Sequence, residues 1–213
     1  GRMNRMNNYL HGTDIWLYQR DDMFRVNTDT YLLGMFLKVF EGETVLDIGT
    51  NNGALLLYAS RFPYRKLIGV DIFPEAIELA EENLKRNRIT EYELYAEKIQ
   101  NTCLDPVDVI LSNPPYFPVS DNTNLNPYMN LARHEIELDF RQLCEHARRL
   151  AKPTVRWYLV HRASRLEELK EILRNTGWHI AVMQLVYDQN KTEPVSVLME
   201  CRLKPVKQMV LQP

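Results

Sequence analysis

Residues Val107–Ser112 read Val-Asp-Val-Ile-Leu-Ser, a short run that is apolar on both faces. Such a strand must be covered on both sides, which is the situation of a central strand in a parallel sheet flanked by helices. The rest of the chain supplies the covering elements. Thr44–Ile48 reads as a first buried strand, with Ala54–Phe62 as its helix. Lys66–Asp71 is a second strand and Pro74–Arg88 its helix, with proline in the first turn, where its missing N–H is harmless. Tyr92–Tyr95 makes a third strand. Beyond Val107–Ser112, Phe140–Leu150 is a helix, Arg156–His161 a fifth strand, and Arg165–Thr176 a helix closed by Gly177. His179–Tyr187 and Val195–Leu203 then form two strand-like runs around a polar turn, Asp188–Glu193.

Repeated strand–helix units that end in a hairpin predict an α/β fold: a mostly parallel seven-stranded sheet, a C-terminal antiparallel hairpin, and helices on both faces. Residues 44–213 form the core of this single expected domain. Residues 1–43 are its N-terminal extension, with a short hairpin (Ile15–Tyr18, Phe24–Val26) and a helix, Thr28–Phe40.

Composition narrows the function classes. With 213 residues there is room for one α/β domain and little more. A formal net charge of −2 argues against a basic surface spread over the whole molecule, and leaves room for a local patch. No segment approaches the roughly 20 apolar residues of a membrane span, and Gly1-Arg2-Met3-Asn4 has no apolar signal core. Cys103, Cys144 and Cys201 show no metal-binding spacing, so no metal is expected. Their reduced state fits a cytoplasmic protein.

The turn after the first strand reads Asp47-Ile48-Gly49-Thr50-Asn51-Asn52-Gly53. A Gly-rich first turn lets backbone approach a ligand at the carboxyl edge of a doubly wound sheet. The spacing departs from the three-glycine pattern that seats a pyrophosphate, and Asp47 sits in the strand end itself. That combination suits a ligand with an amino-acid tail and no phosphate, whose ammonium Asp47 would accept. Asp71, ending the second strand about 20 residues further on, is placed to bind both ribose hydroxyls. Glu97, in Ala96-Glu97-Lys98 after the third strand, is the expected contact for an adenine amino group, with Ile72 and Ile99 on the two faces of the ring.

After the fourth strand comes Asn113-Pro114-Pro115-Tyr116-Phe117. Two successive prolines fix φ and keep the loop out of helical geometry. A rigid loop here matters because an exocyclic amine, its lone pair delocalised into a ring, needs positioning more than it needs a base. If the Asn113 side-chain oxygen and the Pro114 carbonyl accept its two N–H bonds, its lone pair is freed for attack. Tyr116 offers a stacking face, with Phe117 for the other side. A tight turn would explain the prolines alone, but it would not explain the upstream carboxylates.

With these residues in view, the run from Val45 to Phe117 resembles the amino-methylating class I S-adenosylmethionine-dependent methyltransferases, whose loop is [DNS]-P-P-[YFW]. Phe24-Arg25-Val26-Asn27-Thr28-Asp29, Ala132-Arg133-His134-Glu135 and Leu159-Val160-His161-Arg162 further resemble the bacterial tRNA-valine adenine-37 N6-methyltransferases. The resemblance implies a Rossmann-like fold and S-adenosyl-L-methionine as cofactor, contacted at Asp47, Gly49, Asp71 and Asn113; Asn51, Gly53, Ile72, Glu97 and Lys98 are the further candidate cofactor contacts. It places Asn27-Thr28-Asp29 near the methionine end of the cofactor. It implies catalysis at Asn113, Pro114, Pro115 and Tyr116, and a tRNA anticodon loop as substrate. Two positions depart from the pattern. Asn51 stands where relatives carry a second glycine, and Arg202-Leu203-Lys204-Pro205 stands where they are Gly-rich.

For an RNA substrate the base must leave its stack and enter the pocket. Tyr116, Phe117, Arg133, His134, His161 and Arg162 are the candidate substrate contacts, and Arg25 could reach a phosphate. Arg148, Arg149 and Lys152 form a second basic cluster that a helix end would also explain. The same chemistry on a protein glutamine amide, or on adenine in DNA or rRNA, is the rival enzyme reading. A cofactor-binding scaffold is the rival without catalysis.

Overall fold

In the computed structural model, residues 5–23, 26–114 and 139–213 are described. Strands β3 (Thr44–Ile48), β4 (Lys66–Asp71), β5 (Tyr92–Ala96), β6 (Val107–Ser112) and β7 (Ala151–Arg162) run parallel in the spatial order β7-β6-β3-β4-β5. The order reverses beside β3, so the carboxyl ends of β3 and β6 face a crevice where ligands of doubly wound sheets bind. On the far side of β7, β9 (Pro194–Arg202) pairs antiparallel with both β7 and β8 (His179–Tyr187). This late hairpin is the one expected. The sheet has one strand more than expected: β10 (Val210–Gln212) adds in parallel to β8, making eight.

Alternating residues send the sheet's side chains into two cores. Val45, Leu67, Val109 and Leu111 face α1 (Thr28–Phe36) and α2 (Ala54–Ala59). Leu46, Ile68, Ile110 and Trp157 face the other way, towards α4 (Phe140–Arg149) and α5 (Leu166–Asn175). Trp157 and Trp178 are both almost wholly buried, with ring centroids 4.9 Å apart. Truncating such a residue to alanine costs roughly 3–5 kcal/mol. In α3 (Pro74–Arg86) the buried residues Ala76, Leu79, Ala80, Asn83 and Leu84 recur at helical spacing. A capping box starts α4: the Gln142 N–H donates to Asp139 Oδ1 (2.8 Å), and the Asp139 N–H donates back to Gln142 Oε1 (3.1 Å).

The N-terminal hairpin differs from the expected one. Trp16–Arg20 (β2) pairs with the upstream Arg5–Tyr9 (β1), in register from Arg5↔Arg20 to Tyr9↔Trp16. Of the expected strand Phe24–Val26, Phe24 and Arg25 lie outside the described residues, and Val26 donates its N–H to Gln19 Oε1 at 2.8 Å. The buried Asn83 decides where this hairpin sits. Its Oδ1 accepts from the Tyr18 N–H (2.7 Å), and its Nδ2 donates to the carbonyls of Tyr18 (3.0 Å) and Asn52 (2.8 Å). One amide of α3 thereby holds β2 against the turn that follows β3.

Candidate active site

A cavity opens at the carboxyl ends of β3, β4, β5 and β6, and its wall includes Asp47, Gly49, Asn51, Asp71, Ile72, Glu97, Ile99, Asn113 and Pro114. Nearly all the residues that sequence analysis drew from separate strands therefore meet in one place.

The chain turns sharply after β3. The Gly49 and Thr50 N–H groups both donate to the Val70 carbonyl (2.8 and 3.0 Å), fastening the turn to β4. Gly49 has φ +77°, and a Cβ there would project into open space. Glycine serves the backbone conformation and leaves the cavity clear. Asn51 also lies in the left-handed region, at φ +50°, which asparagine tolerates better than most residues. Its N–H donates to Asp71 Oδ2 at 2.8 Å. Asparagine thus does backbone work for which glycine would also serve.

Asp47 is 1% exposed, and neither of its carboxylate oxygens has a hydrogen-bond partner among the described residues. Burial pushes its pKa up to about 7, with Asp71 adding to the rise and Thr50 opposing it. A buried carboxylate of this kind is costly by itself and is stabilised by a cation. Asp71 is also raised, to about 6, chiefly by burial. Its Oδ1 accepts from the Phe73 N–H (3.1 Å) and its Oδ2 from the Asn51 N–H, which holds the carboxylate at the cavity. Glu97 stands at the outer end, its N–H bonded to the Asp71 carbonyl (2.9 Å), with Ile72 and Ile99 nearby on the wall. A buried carboxylate at Asp47, a second at Asp71 and an apolar stretch with Glu97 beside it are groups that could hold the ammonium, ribose and adenine of S-adenosylmethionine.

At the other end, Ser112 accepts from Trp157 Nε1 (3.0 Å), which steadies the last residue of β6. Asn113 follows, half-buried, its Nδ2 donating to Thr30 Oγ1 at 2.9 Å. Pro115, Tyr116, Phe117, Arg133 and His134, like Arg25, lie outside the described residues.

Four expected residues are placed elsewhere. Thr28 is exposed and off the cavity wall; its neighbours Asn27 and Thr30 are on it. The reason is the helix start: Asn27 caps α1, which turns residue 30 inward and residue 28 out. Gly53 is also off the wall. With φ +85° it begins α2 and backs onto Ala80 of α3, so its role is close packing. Lys98 is exposed and away from the cavity. His161 is a core residue, 5% exposed, edge-on to Phe140 and accepting the Arg162 N–H at Nδ1 (2.8 Å). Burial lowers its pKa to about 4, so it is neutral near pH 7 and no phosphate-binding cation. Arg162 is exposed at the end of β7. The second basic cluster is bound up in structure: Arg149 donates to the Thr102 and Ile99 carbonyls, Arg148 to that of Thr176, and Lys152 pairs with Asp108 at 3.0 Å.

Asn27, expected near the cofactor, is on the cavity wall, while Thr30, Thr50 and Asn52 were missed there. Thr30 had a legible signal, since Asn27-Thr28-Asp29-Thr30 is a helix start, but its direction in space was not.

Fold, carboxylates and strand-end loop together define a methyltransferase domain that uses S-adenosylmethionine. The methyltransferase-domain family matches residues 40–199. A solved S-adenosylmethionine-dependent methyltransferase from Aquifex aeolicus superposes with a TM-score of 0.60 at 18% identity, over 84% of this chain and 90% of that one. Among curated relatives, the tRNA1(Val) (adenine(37)-N6)-methyltransferase of Tolumonas auensis is 33% identical over 86% of this chain and 78% of its own length. That of Phocaeicola vulgatus is 30% identical over 91% and 83%. The chain belongs to the tRNA1(Val) (adenine(37)-N6)-methyltransferase family.

Proposed function

We propose that this protein methylates the exocyclic N6 of adenine 37 in the anticodon loop of a valine tRNA. We read it as one catalytic domain with residues 1–43 as an N-terminal extension, working in the cytoplasm, where that substrate is. The observation that carries the reading is that Asn113 and Pro114 stand on the same cavity as Asp71 and as Asp47, whose oxygens have no partner among the described residues.

S-adenosylmethionine supplies an electrophilic methyl group on a positively charged sulfur. Asp47 holds its ammonium end and Asp71 its ribose, which fixes where that methyl lies relative to β6. Asn113 Oδ1 and the Pro114 carbonyl accept the two N–H bonds of the adenine amine and draw its lone pair out of the ring. Methyl transfer to an amine so held would form a C–N bond at the expense of the cofactor's C–S bond, leaving a neutral thioether, and the nitrogen would shed one proton to solvent. Holding the amine in line supplies a large part of the rate, since good orientation alone is worth roughly 7–11 kcal/mol.

The test is incubation with labelled S-adenosylmethionine and unmodified total tRNA, followed by digestion to nucleosides. Labelled N6-methyladenosine is expected. Asn113→Ala is expected to lower kcat roughly 100-fold or more, as loss of one such polar contact does elsewhere, with cofactor affinity within a few-fold of wild type. Cofactor binding without label in RNA would sink the tRNA reading and move the search to a protein amide or DNA.

A further inference from the structure

An asparagine amide can hold an amine only if its oxygen, and not its NH2, faces the substrate. The two orientations have the same shape, so packing alone discriminates weakly between them, and a hydrogen-bond partner of known polarity is needed. The structure supplies one. The backbone N–H of Thr30 can only donate, and it donates to Asn27 Oδ1 at 3.0 Å. That identifies the Asn27 atom facing α1 as the oxygen. The Thr30 hydroxyl carries a single proton and gives it to the same oxygen at 3.1 Å. Its oxygen is left only as an acceptor, so the group it meets on Asn113 must be the NH2, as found at 2.9 Å.

We propose that Asn27 and Thr30 are positioning residues whose hydrogen-bond relay fixes the amide polarity of Asn113, turning Oδ1 toward the target amine. The proposal rests on the reading of Asn113 given above. The relay stands on a braced helix. Ser196 of β9 donates to Asp29 Oδ1 at 2.8 Å, Gln19 of β2 accepts from the Val26 N–H, and Leu33 and Gly34 are buried. Because the Thr30 hydroxyl proton is given to Asn27 Oδ1, turning the Asn113 amide over would break that bond.

The experiment compares Thr30→Val, which keeps the shape and removes the hydroxyl, with Thr30→Ser, which restores it. Thr30→Ala, well tolerated in a helix, repeats the test if the valine variant does not fold. For valine or alanine we expect kcat to fall about tenfold, with the KM for tRNA, the cofactor Kd and the melting temperature close to wild type. Serine should recover most of the loss. Independently of turnover, the Asn113 side-chain NH2 protons should exchange slowly with solvent in the wild type and the serine variant, and fast in the valine variant. Full kcat in Thr30→Val overturns the relay, as does unchanged NH2 exchange. A loss that appears mainly in cofactor Kd or in melting temperature also overturns it, because the role would then be structural. If the wild type itself fails to methylate RNA, the reading of the site fails, while the exchange measurement still judges the relay.

Discussion

Glu43, just before the five-residue strand β3, and Asp47, near its carboxyl end, both carry carboxylates drawn out of water, yet they do opposite things. Glu43 lies at the amino end of β3 and is fully engaged. Arg156 donates to both of its oxygens (2.7 and 2.9 Å), while the same guanidinium donates to the Lys38 carbonyl and the Tyr158 hydroxyl and lies 4.2 Å over the Phe40 ring. Asp47, near the carboxyl end, is more deeply buried and has no hydrogen-bond partner for either oxygen among the described residues. A satisfied buried charge ties elements together, and an unsatisfied one at a cavity is kept for a ligand. Burial alone does not distinguish them; the partner count does.

The contrast is sharpest in substitutions that remove each charge. Glu43→Ala strands the Arg156 guanidinium and is expected to destabilise the protein by roughly 3–5 kcal/mol in denaturant titration, with cofactor Kd unchanged wherever the variant is folded. A stability loss below about 1 kcal/mol would remove the distinction drawn here.

Asp47→Asn is expected to do the reverse, weakening the cofactor by roughly 2–3 kcal/mol, about 30- to 150-fold in Kd, without lowering the melting temperature of the free protein. The raised pKa gives this variant a pH signature. An unfolded carboxylate titrates near 3.8 and the folded Asp47 near 7, so the free protein holds the proton more tightly than the unfolded chain between those values. That makes the free protein more stable as pH falls from 7 towards 4. Binding an ammonium needs the ionised form, so wild-type affinity should fall as pH drops below 7, by up to about tenfold per unit. Calorimetry in the Asp47→Asn variant should show that step near 7 gone.

The smallest expected effect concerns the turn between the two carboxylates. Asn51→Gly relieves a left-handed asparagine and keeps the N–H that binds Asp71. Cofactor Kd should stay within about twofold and stability within about 1 kcal/mol. A large gain in affinity would mean that Asn51 weakens the site.

What was legible in the sequence follows a pattern. Asp47, Gly49, Asp71, Glu97 and Asn113 were found because each ends a strand, and parallel strands of one sheet bring their carboxyl ends together. Thr28, Gly53 and Lys98 lie one or a few residues from the wall, where a helix start or a turn decides which side chain faces in. His161 was misplaced for another reason. A histidine at the end of a strand reads as a candidate cation, but Phe140 and the backbone of Arg162 enclose it, and burial keeps it neutral.

The sequence by itself determined the alternation of elements, the strand-end chemistry and the class of cofactor, because periodicity and motif spacing are local properties of the chain. Only the tertiary structure decided which strand pairs with β2, that β10 extends the sheet, that Arg149 is bound up with carbonyls, and that Thr30 meets Asn113. Those contacts join residues as far as 83 positions apart. No local pattern encodes the geometry of a hydrogen bond between segments that distant; it exists only once the sheet has placed both of them.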